Sequence, residues 1–169
     1  MILLMILPPG PITSLILSGL ICTTIMRGAI GVLQGARVAV LGLAFKPQTD
    51  DVRESPAIAL VERLLERGAL VSAHDPVAIA TAGRRLGDRV TFAQSAFEAA
   101  SGADALVIAT DWNEYKQLDL LIAKGLMRGR LLFDGRNIFD PDDVVALGFD
   151  YMGIGRRNRL ASRVSPVES

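Results

Sequence analysis

Short apolar runs alternate with amphipathic segments along most of the chain. Runs rich in β-branched residues predict strands buried on both faces of a parallel sheet, and the segments between them show helical spacing. The clearest helix is Ser55–Arg67, where Ser55 is expected to cap, Pro56 suits the first turn and Gly68 ends the helix. The other predicted helices are Val77–Leu86, Ser95–Ala100, Leu118–Leu126 and Asp142–Leu147. The predicted strands are Arg37–Leu43, Leu70–Ala73, Val90–Phe92, Asp104–Thr110 and Arg130–Phe133, with Tyr151–Ile154 as a short sixth.

Strands that alternate with helices are joined by right-handed crossovers and form a mainly parallel sheet. The sequence therefore predicts an α/β, doubly wound, Rossmann-like fold with helices on both faces of the sheet. This domain is expected to span residues 36–156, and a flexible tail rich in Arg and Ser is expected at residues 157–169. A length of 169 residues suits one such domain with a sizeable core.

An apolar segment precedes the domain, at residues 1–35. Its first 33 residues carry a single charge, Arg27, which raises the question of a membrane anchor. The run Ile12–Met26 is about 15 residues long against the ~20 that a span needs, and no positive charge precedes it. The pattern therefore favours a buried N-terminal helix followed by a linker, with a membrane anchor as the less favoured alternative. Cys22 lies in this helix and is expected to be a small core residue.

Charge and composition exclude several classes of protein. The 18 Lys and Arg residues balance 18 Asp and Glu residues, so no net field attracts the chain to nucleic acid or to an anionic membrane. A single cysteine excludes an internal disulfide, and a single histidine, His74, argues against a histidine-built metal site, so no metal is expected. A chain with a single cysteine is typical of a protein of the reducing cytoplasm. Any anionic ligand must be held by local geometry.

The loop after the first predicted strand carries the richest chemistry. Its sequence, LAFKPQTDDVRESP after Gly42, is much longer than the tight turn of a dinucleotide site and lacks the G-x-G-x-x-G spacing. Lys46 and Arg53 suit phosphate oxygens, and Phe45 could cover a base or sugar face. In the alternative interpretation, Lys46 and Arg53 only fix the loop by pairing with its acidic residues, which are Asp50, Asp51 and Glu54.

The loop after the fifth strand is expected at the same edge of the sheet. Gly135 permits a close turn that aims Arg136 at an anion, while Asp134 or Asn137 fixes a hydroxyl group. The alternative is a simple surface pair between Asp134 and Arg136.

Aromatic residues follow the fourth strand. Trp112, the only tryptophan, and Tyr115 either cover a ligand pocket or pack against the rim of the sheet. In the second and more frequent role, Thr110 or Asp111 caps the next helix.

The second strand ends in His74-Asp75-Pro76, where Rossmann proteins often keep an acidic residue for a ribose hydroxyl. No glycine fingerprint precedes it, so Asp75 is interpreted as a helix cap before Pro76. His74 has no partner histidine or cysteine nearby in the sequence and is interpreted as structural.

Three segments in this order resemble the C-terminal domain of the UDP-glucose/GDP-mannose dehydrogenase family: VAVLGLAFKPQTDDVRESPAIALVERLLERGALVSAHDP, ADALVIATDWNEY and LFDGRNIFDP. The resemblance covers residues 31–156. It implies a UDP-sugar-binding domain of a UDP-glucose 6-dehydrogenase-type enzyme, which also has an NAD-binding domain and a central helix that forms a homodimer. It implies that Phe45, Lys46 and Arg136 contact the nucleotide sugar and that Arg53 approaches the NAD held by the other domain.

Enzymes of this family oxidise the C6 alcohol of the sugar to a carboxylate in two NAD-dependent steps through a cysteine-bound thiohemiacetal. The present sequence lacks the family's dinucleotide fingerprint and catalytic cysteine segment. Cys22 does not correspond to the catalytic cysteine, because it precedes the first strand, where the resemblance implies the central helix. The chain is therefore expected to hold no cofactor by itself and to be inactive alone. The alternatives are a stand-alone UDP-binding or regulatory module and an independent Rossmann-type NAD enzyme; the identity of the sugar is open.

Overall fold

The computed structural model describes Thr23 and residues 26–161, and at its centre is one six-stranded sheet. The strands are β1 (Arg37–Leu41), β2 (Leu70–His74), β3 (Val90–Phe92), β4 (Ala105–Ile108), β5 (Leu131–Asp134) and β6 (Asp150–Gly153). Their order is β3-β2-β1-β4-β5-β6, and every neighbouring pair is parallel. The chain winds outward from β1 in one direction and from β4 in the other, so the predicted doubly wound, Rossmann-like fold is confirmed.

Helices connect these strands at the predicted places. They are α1 (residues 26–30), α2 (Pro56–Glu66), α3 (Ile79–Leu86), α4 (Ala96–Ala100), α5 (Asn113–Lys116), α6 (Leu120–Leu126) and α7 (Pro141–Ala146), and a 3-10 turn at Gly87–Arg89 joins α3 to β3. The sequence pattern does not predict α5, a single turn between β4 and α6. Of the predicted apolar helix Ile12–Met26, the structure describes only Thr23 and Met26, so Cys22 lies outside the described residues.

Apolar side chains cover both faces of the sheet. Val40 of β1 lies in one buried cluster with Ile58 and Val61 of α2, whereas its neighbour Leu41 lies in a second cluster with Tyr115 of α5. The two β1 residues belong to different clusters because successive side chains of a strand point to opposite faces. The sheet is therefore covered by helices on both faces.

The ends of α2 show one correct and one incorrect prediction. Gly68 follows the last turn at φ +79°, a backbone conformation that glycine adopts without strain, as expected for the end of this helix. Ser55 occupies the N-cap position, but its side chain does not cap the helix. The Ser55 hydroxyl instead donates a 2.7 Å hydrogen bond to the carbonyl oxygen of Leu43. The capping prediction is wrong, because a capping hydroxyl accepts from a backbone N–H of the first turn and the Ser55 hydroxyl accepts from none of them.

The outer edge of β6 is covered by the chain itself. The backbone N–H groups of Tyr151 and Arg159 donate to each other's carbonyl oxygens at 2.7 and 2.9 Å. Arg159 belongs to the predicted tail, of which the structure describes the residues up to 161. Within the described part of the chain, no helix has the length and apolar character needed to cross a membrane.

Candidate functional site

The loops after β1, β2, β4 and β5 leave the sheet at the same edge. In parallel sheets the carboxyl ends of neighbouring strands share one edge, and ligands bind there at the point where the strand order reverses. In this chain the reversal lies between β1 and β4, which are hydrogen-bonded neighbours although their crossovers run in opposite directions. The predicted site residues Phe45, Lys46 and Arg53 lie in the loop after β1 and Arg136 lies in the loop after β5, and both loops leave the sheet at this edge.

The loop after β1 begins with a glycine that no other residue could replace without strain. β1 ends at Leu41, two residues before the predicted end, and Gly42 has φ +95°. A Cβ atom at Gly42 would lie 2.4 Å from the Cβ atom of Thr110 and 2.6 Å from its backbone nitrogen. Gly42 thus allows the ends of β1 and β4 to touch. The Thr110 hydroxyl then donates a 2.9 Å hydrogen bond to the carbonyl oxygen of Ala44.

Phe45 and Lys46 follow this fixed start of the loop. The backbone N–H of Phe45 donates to the carbonyl oxygen of Asp51 at 2.8 Å, which closes the loop, and the Phe45 ring is 47% exposed. Lys46 is exposed, and its ammonium group forms no hydrogen bond or ion pair within the part of the chain that the structure describes. The alternative interpretation, in which Lys46 pairs with acidic residues of the loop, is therefore wrong for the described residues.

Arg53 behaves differently from Lys46. Its guanidinium forms two hydrogen bonds with the Asp51 carboxylate, at 3.0 and 2.8 Å, and its backbone N–H donates to the same group at 2.9 Å. These hydrogen bonds hold the pKa of Asp51 at about 2, and the Arg53 side chain remains 87% exposed. The structure thus contains the ion pair that the alternative interpretation predicts, in which Arg53 fixes the loop by pairing with an acidic neighbour. One edge of the guanidinium is still open to solvent.

Arg136 is held by a residue of another loop. Its Nε and Nη2 atoms donate to Oδ1 of Asp111 at 3.1 and 2.8 Å. Burial by itself raises the pKa of Asp111, but the residue's own backbone N–H and the positive charge of Arg136 outweigh it and hold the pKa below its usual value. The alternative of a side-chain pair between Asp134 and Arg136 is wrong, because Asp134 is fully buried and the Arg136 guanidinium bonds the half-buried carboxylate of Asp111.

Asp134 is buried, and its hydrogen bonds are made within the protein. It accepts from the backbone N–H groups of Arg136 and Phe139, at 3.2 and 3.0 Å, and from the Tyr151 hydroxyl at 3.3 Å. Asn137 has φ +54° and donates to the carbonyl oxygen of Ile154 at 2.9 Å, while its buried Oδ1 atom has no hydrogen-bond partner among the described residues. Asp134 therefore shapes the loop that presents Arg136, and does not face a ligand hydroxyl as predicted.

The aromatic residues after β4 pack against the rim of the sheet, as the more frequent role predicts. Tyr115 is fully buried, and burial raises its pKa. Asp119 caps α6, the next predicted helix, and Trp112 occupies the N-cap position of the unpredicted α5, so the expectation that Thr110 or Asp111 caps the next helix is wrong. Thr110 bonds the loop after β1 and Asp111 bonds Arg136. The two residues expected to cap the next helix therefore join the loops after β1, β4 and β5.

The residues at the end of β2 are structural. The Asp75 carboxylate accepts from the backbone N–H groups of Val77 and Ala78 at 2.9 and 2.7 Å, in the turn before α3. The prediction of a helix cap is wrong, because Ala78 occupies the N-cap position of α3 and the helix has no side-chain cap. His74 is buried, and its Nδ1 atom lies 3.0 Å from the Tyr115 hydroxyl. Among the described residues, no group of three His, Cys, Asp or Glu side chains could hold a metal ion.

The residues at this edge do not fit a dinucleotide in the manner of an NAD domain. Such a domain needs open glycines that admit the pyrophosphate and a free carboxylate for the ribose. Here the space beside Gly42 is filled by Thr110, and the Asp75 oxygens already accept backbone hydrogen bonds. A cavity of about 910 Å³ opens elsewhere, and its lining includes Ile30 and Asp104 but none of the predicted site residues.

The fold and the loop after β1 place the chain among Rossmann-like domains that lack the dinucleotide fingerprint. Residues 39–141 match the UDP binding domain of the UDP-glucose/GDP-mannose dehydrogenase family. The chain belongs to this family, as the sequence resemblance implies.

Relatives and solved structures agree with this assignment. The UDP-glucose 6-dehydrogenase of Pseudomonas aeruginosa is 48% identical over 128 residues, which are 73% of this chain and 28% of that protein. The UDP-glucose dehydrogenase structure from Pyrobaculum islandicum matches with a TM-score of 0.64 and 38% identity over 75% of this chain and 27% of the other. The UDP-D-ManNAc dehydrogenase structure from Pyrococcus horikoshii matches with a TM-score of 0.63 and 34% identity, over 82% and 30%. The chain thus spans less than a third of the length of these proteins.

Proposed function

We propose that this chain binds the nucleotide part of a UDP-sugar for an NAD-dependent UDP-glucose 6-dehydrogenase-type enzyme. The observation that carries the proposal is the pair of cationic loops at the switch point of the sheet. Lys46 follows a backbone fixed by hydrogen bonds and has no ion-pair partner in the described residues. Arg136 is tied through Asp111 to the β4 loop, whose Thr110 bonds the β1 loop. Hydrogen bonds through the loop after β4 therefore connect the loop that carries Lys46 with the side chain of Arg136.

Each site residue has a role that its chemistry supports. Lys46 is a flexible ammonium group that neutralises a phosphate, and Arg136 is a planar donor that binds phosphate oxygens with defined geometry. Asp111 occupies Nε and Nη2 of Arg136, which leaves Nη1 outside the bonds of that pair. The half-exposed ring of Phe45 offers an apolar face for the sugar or the base. The sugar itself is not specified by these contacts.

The oxidation itself requires parts that lie outside the described residues. NAD accepts hydride from the sugar alcohol in the proposed reaction, and the present residues do not form a cradle for it. The exposed Arg53 on the same loop is proposed to contact NAD held by a separate NAD-binding domain, supplied in the same chain or by a partner. The length of the relatives, more than three times the matched segment, supports this division of labour. A homodimer is the proposed assembly of the complete enzyme.

Titration calorimetry with UDP tests the binding proposal. Replacing a charged donor to phosphate removes a charge-assisted hydrogen bond of about 1.5–3 kcal/mol, so Lys46→Ala and Arg136→Ala should each weaken UDP binding about 10- to 100-fold. Arg67→Ala is the matched control, because it removes an exposed positive charge at the end of α2, just before β2 begins at the opposite edge of the sheet. Unchanged affinity in both site variants, or an equal loss in the control, would contradict the assignment.

A complementation experiment tests the catalytic proposal. The purified chain alone should form no NADH from UDP-glucose and NAD. A fragment of a UDP-glucose 6-dehydrogenase that ends at its central helix should regain activity when the chain is added, and Lys46→Ala should reduce that gain. UDP binding without any gain in activity would indicate a stand-alone binding module. Stabilisation of the chain by NAD alone, measured by thermal shift, would contradict the proposed division between domains.

A further inference from the structure

The Asp75 carboxylate joins three separate loops of the sheet edge. It is 1% exposed and accepts five hydrogen bonds. Its Oδ1 atom accepts from the backbone N–H groups of Val77 and Ala78, at 2.9 and 2.7 Å. Its Oδ2 atom accepts from the backbone N–H groups of Leu43 and Ala44, at 2.8 and 3.1 Å, and from Nε1 of Trp112 at 3.3 Å. Only the first pair of bonds serves the turn before α3.

The bonds to Leu43 and Ala44 complete a fixed segment of backbone. Both N–H groups of these two residues donate to Asp75. The carbonyl oxygen of Leu43 accepts from Ser55 at 2.7 Å, and that of Ala44 accepts from Thr110 at 2.9 Å. All four polar backbone groups of the segment thus bind side chains of other elements. The next residues along the chain are Phe45 and Lys46, whose side chains are exposed.

We propose that Asp75 is a positioning residue for the nucleotide site, which it serves by holding the backbone of Leu43 and Ala44 so that Phe45 and Lys46 are presented in one orientation. This inference rests on the proposed function. A loop that is already ordered binds its ligand without the loss of affinity that comes from populating the binding conformation. The carboxylate that a Rossmann domain often offers to a ribose here faces inward and organises the neighbouring loop.

The position requires a carboxylate and not an amide. A carboxylate is an acceptor at both oxygens, whereas asparagine carries an NH2 group at one of the two positions. Because Oδ1 accepts two N–H donors and Oδ2 accepts three, either orientation of an asparagine would place its NH2 group against at least two donors. Asp75→Asn therefore removes the bonds on one side while nearly preserving the volume of the side chain.

The test compares Asp75→Asn with a control of similar stability loss in the full chain. Val144→Ala is the control, because Val144 is a buried residue of α7 that bonds none of the site loops. Asp75→Asn should speed amide hydrogen exchange at residues 43–46 and weaken UDP binding about tenfold, which corresponds to a binding-competent loop population of about one tenth. Val144→Ala should do neither at matched thermal stability. Equal effects in the two variants would overturn the inference.

A double-mutant cycle separates positioning from general loosening. If Asp75 acts through the Lys46 loop, Lys46→Ala should weaken UDP binding less in the Asp75→Asn background than in the wild type. Additive effects would overturn the inference. Should Asp75→Asn not fold, Thr110→Val replaces it, since this near-isosteric change removes only the bond to the carbonyl oxygen of Ala44. Full UDP affinity in Thr110→Val would overturn the inference.

The two proposals fail in different ways. A wild-type chain that binds no UDP would refute the proposed function. A wild-type chain that binds UDP and loses affinity in Lys46→Ala, but keeps its affinity in Asp75→Asn, would refute the positioning role alone.

Discussion

Replacing Gly42 with alanine should lower the free energy of unfolding for two separate reasons. The first reason is backbone strain, because Gly42 has φ +95°, where a side chain costs about 1–2 kcal/mol. The second reason is overlap, because the new Cβ atom would lie 2.4, 2.5 and 2.6 Å from the Cβ, Oγ1 and backbone nitrogen atoms of Thr110. Rotation of the Thr110 side chain cannot relieve the contact with its backbone nitrogen.

Overlap of this kind costs about 1–3 kcal/mol in well-packed proteins. Strain and overlap together predict that Gly42→Ala lowers the free energy of unfolding by about 2–5 kcal/mol. Gly148 supplies a matched control, because its φ of +92° is nearly the same and no atom lies within 4 Å of the position of its Cβ atom. Gly148→Ala should therefore show the strain alone, at about 1–2 kcal/mol.

Urea denaturation of the two variants measures the difference directly. With an m-value of about 1–3 kcal/mol per molar, an extra loss of about 1–3 kcal/mol lowers the midpoint of Gly42→Ala by roughly 1 M relative to Gly148→Ala. Equal midpoints for the two variants would refute the reasoning, since they would show that the ends of β1 and β4 do not approach as closely as the Gly42 contacts require.

Two further predictions concern titratable groups. Burial lowers the pKa of His74, the only histidine, below its usual value of 6.5, although Glu114, Asp75 and Glu98 oppose this. The unfolded chain therefore takes up the proton first, and the free energy of unfolding should fall as the pH drops from about 7 through 6.5 toward the lower folded pKa, by no more than about 1.4 kcal/mol per pH unit. Denaturation between pH 5 and 8 should show that the free energy of unfolding changes with pH in this way in the wild type and not in His74→Gln. If His74→Gln shows the same pH dependence, another titratable group causes it. Arg136→Ala should raise the pKa of Asp111, because it removes the positive charge and hydrogen bonds that lower it. The stabilisation from Asp111 is present above the usual carboxyl pKa and is lost as the pH falls through the pKa of Asp111 in the folded chain. Carbon NMR measures this pKa in the wild type and in Arg136→Ala. An unchanged pKa would show that Arg136 and Asp111 do not pair in solution.

The sheet was predictable because its signal is local. The strands buried on both faces consist of consecutive apolar residues, as in Ala105–Ile108, and the stripe Ile58, Val61 and Leu64 marks the buried face of α2. The strand β3 has the predicted bounds, and each of the other strands differs from the prediction by one or two residues at one or both ends. β1 stops at Leu41 because Gly42 turns the chain at positive φ, which a run of apolar residues does not reveal. The single-turn helix α5 was missed because four residues are too few to show helical spacing.

The partners of the site residues were less predictable because they come from distant loops. In the sequence Arg136 stands between Gly135 and Asn137, but its partner Asp111 is 25 positions away. Asp75 similarly bonds Leu43 from 32 positions away. An aspartate before proline is a signal for a local turn, which is only part of what this carboxylate does. The topology that brings β1, β2 and β4 side by side has to be known before such pairs can be inferred.

The three cations of the site differ in how freely they can attract an anion. Arg53 and Arg136 each face a carboxylate, Asp51 and Asp111, so a phosphate at either position competes with an existing ion pair. Lys46 forms no such pair within the described residues. Because the chain as a whole carries no net charge, the proposed attraction for a diphosphate depends on this local imbalance. In the proposed site the acidic partners hold the arginines in place and Lys46 supplies the unbalanced charge. In the same proposal Asp75 fixes the backbone of residues 43 and 44, which precedes Lys46.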